Sequence, residues 1–374
     1  MDGHQSKALT RREVRATRFA VAAFVIGGIL ALILAAGRHM PIGGPESLGS
    51  LAGWITGGLS AIAYAGAYLL PGGGASAPAL RWRLEVPLAK RIFDVLALTV
   101  AMGMLNYLLV MAIAAVFQMG FRGLLIDPIG GAVLVGFAAA ALTYVAALAG
   151  GNVTGSSIAS LAIAVLLSGT IASMVSSPDE SWWQLHFSQL GNTGGVTGYR
   201  FNLALIITGF VITVIAGYVG QAFTSGVRRR GYDLGRKPQV LAWLFTGIGL
   251  CMAMVGFVPD AVSFAIHVGS ASGMVVLFGV FAYCALRYIP DLPRDLIVFT
   301  AIVVIGIIVA IVLWVPIGYY NLTGMELVAA GLLFAWLLVF VRSAEAYGAG
   351  GAVDGAGGAA EVARAAGAEP RDAG

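Results

Sequence analysis

Long apolar runs, each followed by a short polar joint, repeat along almost the whole chain. Ten can be cut, at residues 19–36, 52–70, 92–117, 129–149, 156–175, 201–224, 239–257, 263–286, 296–315 and 324–341. Each is close to the ~20 residues that an α-helix needs to span a ~30 Å hydrocarbon layer. The runs are continuous; a transmembrane barrel would instead show short segments alternating apolar and polar residues. All thirteen prolines fall outside the runs, as expected for helix interiors, where proline removes a hydrogen bond and bends the axis. The pattern predicts an all-α integral membrane protein: a bundle of about ten transmembrane helices, with a basic segment at 1–18, five-helix halves at 19–175 and 176–344, and a Gly/Ala-rich tail at 345–374. The tail has nothing to bury and is expected to be disordered.

Composition agrees. The chain is 59% hydrophobic and 11% charged, with a mean hydropathy of +0.89, whereas soluble domains carry about 25% charged residues. The few charges are distributed unevenly. With the N-terminus in the cytoplasm, nineteen of the 22 Lys and Arg lie inside, clustered at 7–18, 81–91, 228–237 and 287–294, at Arg342 and in the C-terminal tail; Arg38, Arg122 and Arg200 lie outside. The positive-inside rule therefore predicts both termini in the cytoplasm and a multi-pass protein of the plasma membrane. The net charge of +4 is accounted for by insertion and by contact with anionic membrane lipids, with no call for nucleic acid. The first run is too long for a signal-peptide core and is expected to be an anchor. Cys251 and Cys284 fall within runs, so no disulfide framework is implied. Abundant Gly and Ala, with Arg far exceeding Lys, suggests a bacterial source.

The longest external joint is 176–200. Ser177-Pro178-Asp179-Glu180 has the makings of a capped helix start and Gly191 those of a stop, predicting a short interfacial helix at about 178–190. At 100° per residue, Trp182, Trp183, His186, Phe187 and Leu190 share one arc. Two roles fit: a headgroup-level anchor, or a lid that turns His186 or Ser188 into an external cavity. The run from His186 to Gly191, followed by Phe201-Asn202 and Gly209, then by Gly249, Gly256, Pro259, Asp260 and His267, resembles a bacterial membrane family known as domain of unknown function 998. The resemblance covers about 176–341. It implies a multi-helix protein with a Ser-x-Leu-Gly motif before one helix and a His in a later one, and no established activity. Family members often carry Asp after the Ser, where this chain has Gln189, which removes a carboxylate from that position.

Ionisable groups at membrane depth are costly to bury and are the first places to look for function. Several acids here are better read as helix caps: Asp127, Asp260, Asp295, and Glu326 in a capping box with Thr323. Asp94 is expected to pair with Arg91. His267, one turn into its run with Ser263 and Ser270 on the same side, has no such explanation; it is either a packed group hydrogen-bonded to a neighbour, a proton-handling group or a ligand contact. His39, His186 and His267 all fall on the external side, but no tight His pair marks a metal site. Small residues at four-residue spacing, such as Gly269 and Gly273, suggest close helix packing. No phosphate-binding loop, dinucleotide fingerprint or haem motif points to a cofactor.

Ser188 with His186 or His267 lacks a third group to orient the base, so the sequence assigns no catalytic residue. The leading expectation is non-enzymatic binding or transport of a small or lipid-like ligand from the external side, at a site lined by His267, Ser188, Asn202 and His186. The alternatives are a membrane-embedded enzyme acting on lipid or envelope material at the outer leaflet, and a structural or assembly protein.

Overall fold

The computed structural model describes residues 3–44, 46–70, 82–83 and 85–350, with side chains from Arg11 onward. The far tail, 351–374, and the whole of 71–81 lie outside the described residues. Ten long helices dominate: α1 (Gly3–Leu34), α2 (Leu48–Leu69), α3 (Leu88–Gly120), α4 (Pro128–Gly151), α5 (Gly155–Val175), α7 (Val196–Arg229), α8 (Lys237–Phe257), α9 (Phe264–Tyr288), α10 (Arg294–Trp314) and α11 (Leu322–Ala349), with the four-residue α6 (Gln189–Asn192) between α5 and α7. Among the described residues, nine are long and apolar enough to cross a membrane. The tenth, α2, has the length, but its five glycines, hydroxyls and tyrosines dilute its apolar character; it packs among α1, α3 and α4. The protein is an all-α, multi-pass membrane protein, the architecture that satisfies backbone polar groups within each segment.

The element boundaries differ from the sequence expectation at both ends. The basic residues of 1–18 that are described belong to α1 itself. Helix α11 runs five residues into the expected tail, because Glu345 and Tyr347 have partners: the Glu345 carboxylate accepts from the Gly155 and Ser156 amides at the start of α5 and from the Ser156 hydroxyl. The Tyr347 hydroxyl donates to the Pro290 carbonyl at 2.9 Å. Arg230 donates to the Tyr347 carbonyl at 3.0 Å and lies over its ring.

Helices α1, α2 and α4 form one group, α7 is the most buried helix of the other, and α5 packs on α7, α3 and α11. Helix α3 packs on α2 of the first group and also on α5 and α7 of the second. A short antiparallel ladder, β1 (Met40–Pro41) with β2 (Leu125–Ile126), ties the α1–α2 loop to the α3–α4 loop. Glycine seams set the closest crossings. A Cβ at Gly209 would stand 2.5 Å from both Ala253 N and Gly249 O, and one at Gly57 2.8 Å from Gly103 O. The pair suggested by spacing is not such a seam: Gly269 has open space and Gly273 only an ordinary contact with Cys251. Small residues let backbones approach, but only where they face a neighbour.

At the end of the bundle bearing the basic loops, Arg83 is 5% exposed. It donates to the Tyr218 hydroxyl at 2.9 Å, pairs with Asp94 at 3.2 Å and lies over the Tyr68 ring. Lys90 completes the cluster at 2.7 Å from Asp94. Asp94 thus pairs with Arg83 and Lys90 instead of Arg91. An i,i+4 neighbour and a buried guanidinium outcompete the i−3 residue, and the cluster joins α2, α3 and α7.

Candidate functional site

At the opposite end the joints 176–195, 258–263 and 315–321 come together. The first does not form the expected helix. Among its residues only a 3-10 turn, Trp182–Gln184, and α6 are helical. Local polar groups supply the reason. The Ser177 hydroxyl donates to the Asp179 carbonyl, and the Asp179 carboxylate accepts from both the amide and hydroxyl of Ser181, at 2.8 and 2.7 Å. Such bonds offer the backbone an alternative to helix, and they hold the Asp179 carboxyl below its ordinary pKa. Trp182 and Leu190 turn inward, Phe187 sits between Trp182 and Phe201, and Trp183 stays exposed.

This folded joint places His186 beside two partners. Its Nδ1 is 3.0 Å from Ser188 Oγ, and its Nε2 is 3.1 Å from Asp260 Oδ2. The side chains of His186 and Asp260 are 22% and 14% exposed. With a hydrogen on Nε2 directed at the carboxylate, Nδ1 is left to accept from the Ser188 hydroxyl. Asp260 does not cap α9, because Ser263 does, accepting from the Ile266 amide. The missing orienting group therefore comes from a residue the sequence reads as a cap.

Glu326 is reassigned in the same way. Asn321 caps α11 through the Gly324 amide at 2.8 Å, so the Thr323–Glu326 capping box does not form. The Glu326 carboxylate instead accepts from the Phe187 amide at 2.5 Å, holding the residue next to His186. Asn321 also donates to the Trp183 carbonyl at 2.8 Å, tying α11 to the same joint.

Of the four residues singled out from sequence, His186 and Ser188 are in contact, whereas His267 and Asn202 hold backbone. His267, buried, bonds the Val258 carbonyl through Nδ1 at 2.9 Å, fixing the loop two residues before Asp260. Asn202 donates to the Gly191 carbonyl at 2.9 Å, fixing the segment just after Ser188. The two loops meet directly where the Ala261 amide donates to Asn192 Oδ1 at 3.2 Å. The three histidines expected on the external side go to different places: His39 lies near Asp127, His186 on Asp260 and His267 on Val258. Among the described residues no group of three His, Cys, Asp or Glu is close enough to hold a metal ion.

Exposed apolar side chains surround this polar cluster, among them Trp183, Leu185, Val262, Phe264 and Tyr319. Aromatic residues favour the depth of lipid headgroups. Fold and site together define a multi-pass helical membrane protein with a hydrogen-bonded Ser–His–Asp chain at one end of its bundle. Residues 159–343, the second half of the chain, match the model of the family described as Protein of unknown function (DUF998). The match begins within α5, the helix that packing assigns to the second group. No curated protein and no solved structure matches the chain.

Proposed function

We propose that this protein is a membrane-embedded hydrolase that cleaves an ester or amide bond of a lipid-like molecule at the outer face of the plasma membrane. The observation that carries the proposal is the chain Ser188 Oγ–His186 Nδ1 and His186 Nε2–Asp260 Oδ2, at 3.0 and 3.1 Å. A nucleophile bonded to a base, with the base oriented by a third group, is recognised by geometry and roles, not by sequence order. The Ser188 hydroxyl attacks the carbonyl carbon as its proton passes to His186 Nδ1. Asp260 holds the ring and stabilises the imidazolium. The bond to the leaving group breaks, and the leaving group takes that proton. Water then attacks the acyl-serine by the same route, releasing the acid and restoring Ser188. His267 and Asn202 act as positioning residues through Val258 and Gly191.

The lipid-like substrate is supported by the apolar rim. External placement is supported by the Lys and Arg distribution: the joints at the opposite end hold 81–91, 228–237 and 287–294. It puts both termini in the cytoplasm of what composition suggests is a bacterial cell. The second reading, binding or transport of a lipid-like ligand without chemistry, draws on the acceptor capacity that Asp260 keeps free: its Oδ1 is buried without a partner.

The test is fluorophosphonate labelling of the purified protein in nanodiscs, with the modified residue located by mass spectrometry. Labelling at Ser188 that disappears in Ser188→Ala and drops sharply in His186→Ala is the expected result. A folded protein that retains co-purified lipid but takes no label would overturn the hydrolase in favour of binding alone.

A further inference from the structure

We infer that the site selects molecules carrying a primary ammonium group, as in an ethanolamine-type lipid headgroup. This names a substrate class for the external site proposed above and rests on that site being where the ligand binds. Asp260 and Glu326 flank the dipeptide His186-Phe187, one bonded to the ring of the first residue and the other to the amide of the second. Both are carboxylates. Among the described residues, the one salt-bridge geometry at either is that of Asp260 with His186. Arg200, the basic residue in the first turns of α7, forms no salt bridge with them and leaves its own Nε buried without a partner.

The acceptors outnumber the donors. Asp260 uses Oδ2 on His186, and its Oδ1 is buried with no hydrogen-bond partner. Glu326 uses Oε2 on the Phe187 amide, leaving Oε1. Thr323, 3% exposed and three residues before Glu326 on the same helical face, has a buried hydroxyl oxygen without a partner. Buried polar atoms in folded proteins are almost always satisfied, so the two unpartnered ones, Asp260 Oδ1 and Thr323 Oγ1, point to an occupant. An ammonium group offers three N–H donors and a positive charge, matching three acceptors of which two belong to carboxylates. An anionic headgroup offers acceptors where acceptors are already in excess, and a quaternary ammonium offers no N–H donor.

The probes are dialkyl-ether phosphatidylethanolamine, which has no acyl ester to cleave, the matching ether phosphatidylglycerol, and ethanolamine alone. Binding is measured on the full chain in nanodiscs by native mass spectrometry and ligand-dependent thermal shift. We expect the ethanolamine lipid to bind at least tenfold more tightly than the glycerol lipid. That preference falls at least tenfold in Glu326→Gln and severalfold in Thr323→Val, while binding of the glycerol lipid is unchanged. Saturable binding of ethanolamine alone at the same residues supports an amine drawn from the aqueous phase. Equal binding of the two lipids, or a preference untouched by Thr323→Val in a folded protein, overturns the inference; the threonine variant keeps the test decisive if Glu326→Gln misfolds. Fluorophosphonate labelling of Ser188 does not depend on headgroup. Labelling without amine preference leaves the hydrolase standing alone, and amine preference without labelling leaves only this inference.

Discussion

The α7–α8 crossing has no room for a single added methyl group at Gly209. In Gly209→Ala the new Cβ meets Ala253 N and Gly249 O at 2.5 Å and the Ala253 Cβ at 2.9 Å. Ordinary non-bonded contacts stand at about 3.5–4.0 Å. Two of the three obstructing atoms are backbone, so no rotamer change relieves them, and the helices must part by roughly 1 Å. Overpacking of this kind typically costs about 1–3 kcal/mol. Replacing glycine by alanine inside a helix returns about 0.5–1 kcal/mol, leaving a net loss of up to about 2.5 kcal/mol by difference. Gly331→Ala in α11 is the control, since its Cβ meets nothing within 4 Å; it keeps the helix gain without the clash. Unfolding by graded denaturing detergent in mixed micelles compares the three proteins. The expected order of stability is Gly331→Ala, wild type, then Gly209→Ala. A Gly209→Ala protein as stable as the control would refute the argument that this seam is closed by backbone contact. Because Gly256 abuts Asn202 O in the same crossing, at 2.6 Å from its would-be Cβ, the variant should also slow Ser188 labelling.

Two further outcomes follow from groups away from the reacting atoms. Removing one partner of the buried Arg83–Asp94 pair, as in Arg83→Met, should destabilise by less than the about 3–5 kcal/mol of a fully uncompensated buried charge, because Lys90 stays on Asp94 at 2.7 Å. Arg83→Met with Asp94→Leu should recover most of that loss in the same detergent titration, and failure to recover would assign the effect to Tyr218 and the ring contacts instead. Asp179 is held below its ordinary pKa by Ser181, so its hold on the 176–195 joint is present above the usual carboxylate range and is lost as pH falls through the depressed value. Hydrogen exchange at the Ser181 amide should accelerate across that window in the wild type, whereas Ser181→Ala should show no such pH step.

The long helices were legible because apolar continuity and proline placement are local signals, and Asp127 was legible as a cap because its partners, the amides of Ile129 and Gly130, lie within three residues. The site was only half legible. His186, Ser188, Asn202 and His267 stand out in the sequence as polar groups near helix ends, but joining the 186–192 segment to the 258–267 segment depends on contacts across about 70 residues, His186 with Asp260 and Ala261 with Asn192. Asp260 and Glu326 were read as caps because each sits by a helix start. Stronger caps stand closer to each first turn, Ser263 and Asn321, and that competition was visible in the sequence. The lost helix at 178–190 had a different cause. Its periodicity was sound, but Asp179–Ser181 and the demand of Glu326 for the Phe187 amide took the bonds a helix would need.

Helix α3 stands between the two groups of helices. One side meets α2 at Gly103, and its end near the basic loops reaches α7 through Asp94, Arg83 and Tyr218. Most helices in this bundle show one side to lipid, where any apolar residue of moderate size serves. Helix α3 answers to two neighbours at once, so a change that suits one must also suit the other. Substitutions at those two contacts should be accepted mainly in compensating pairs, whereas the exposed apolar side of α3, with Ile92, Leu96, Val100 and Ile113, is free to vary.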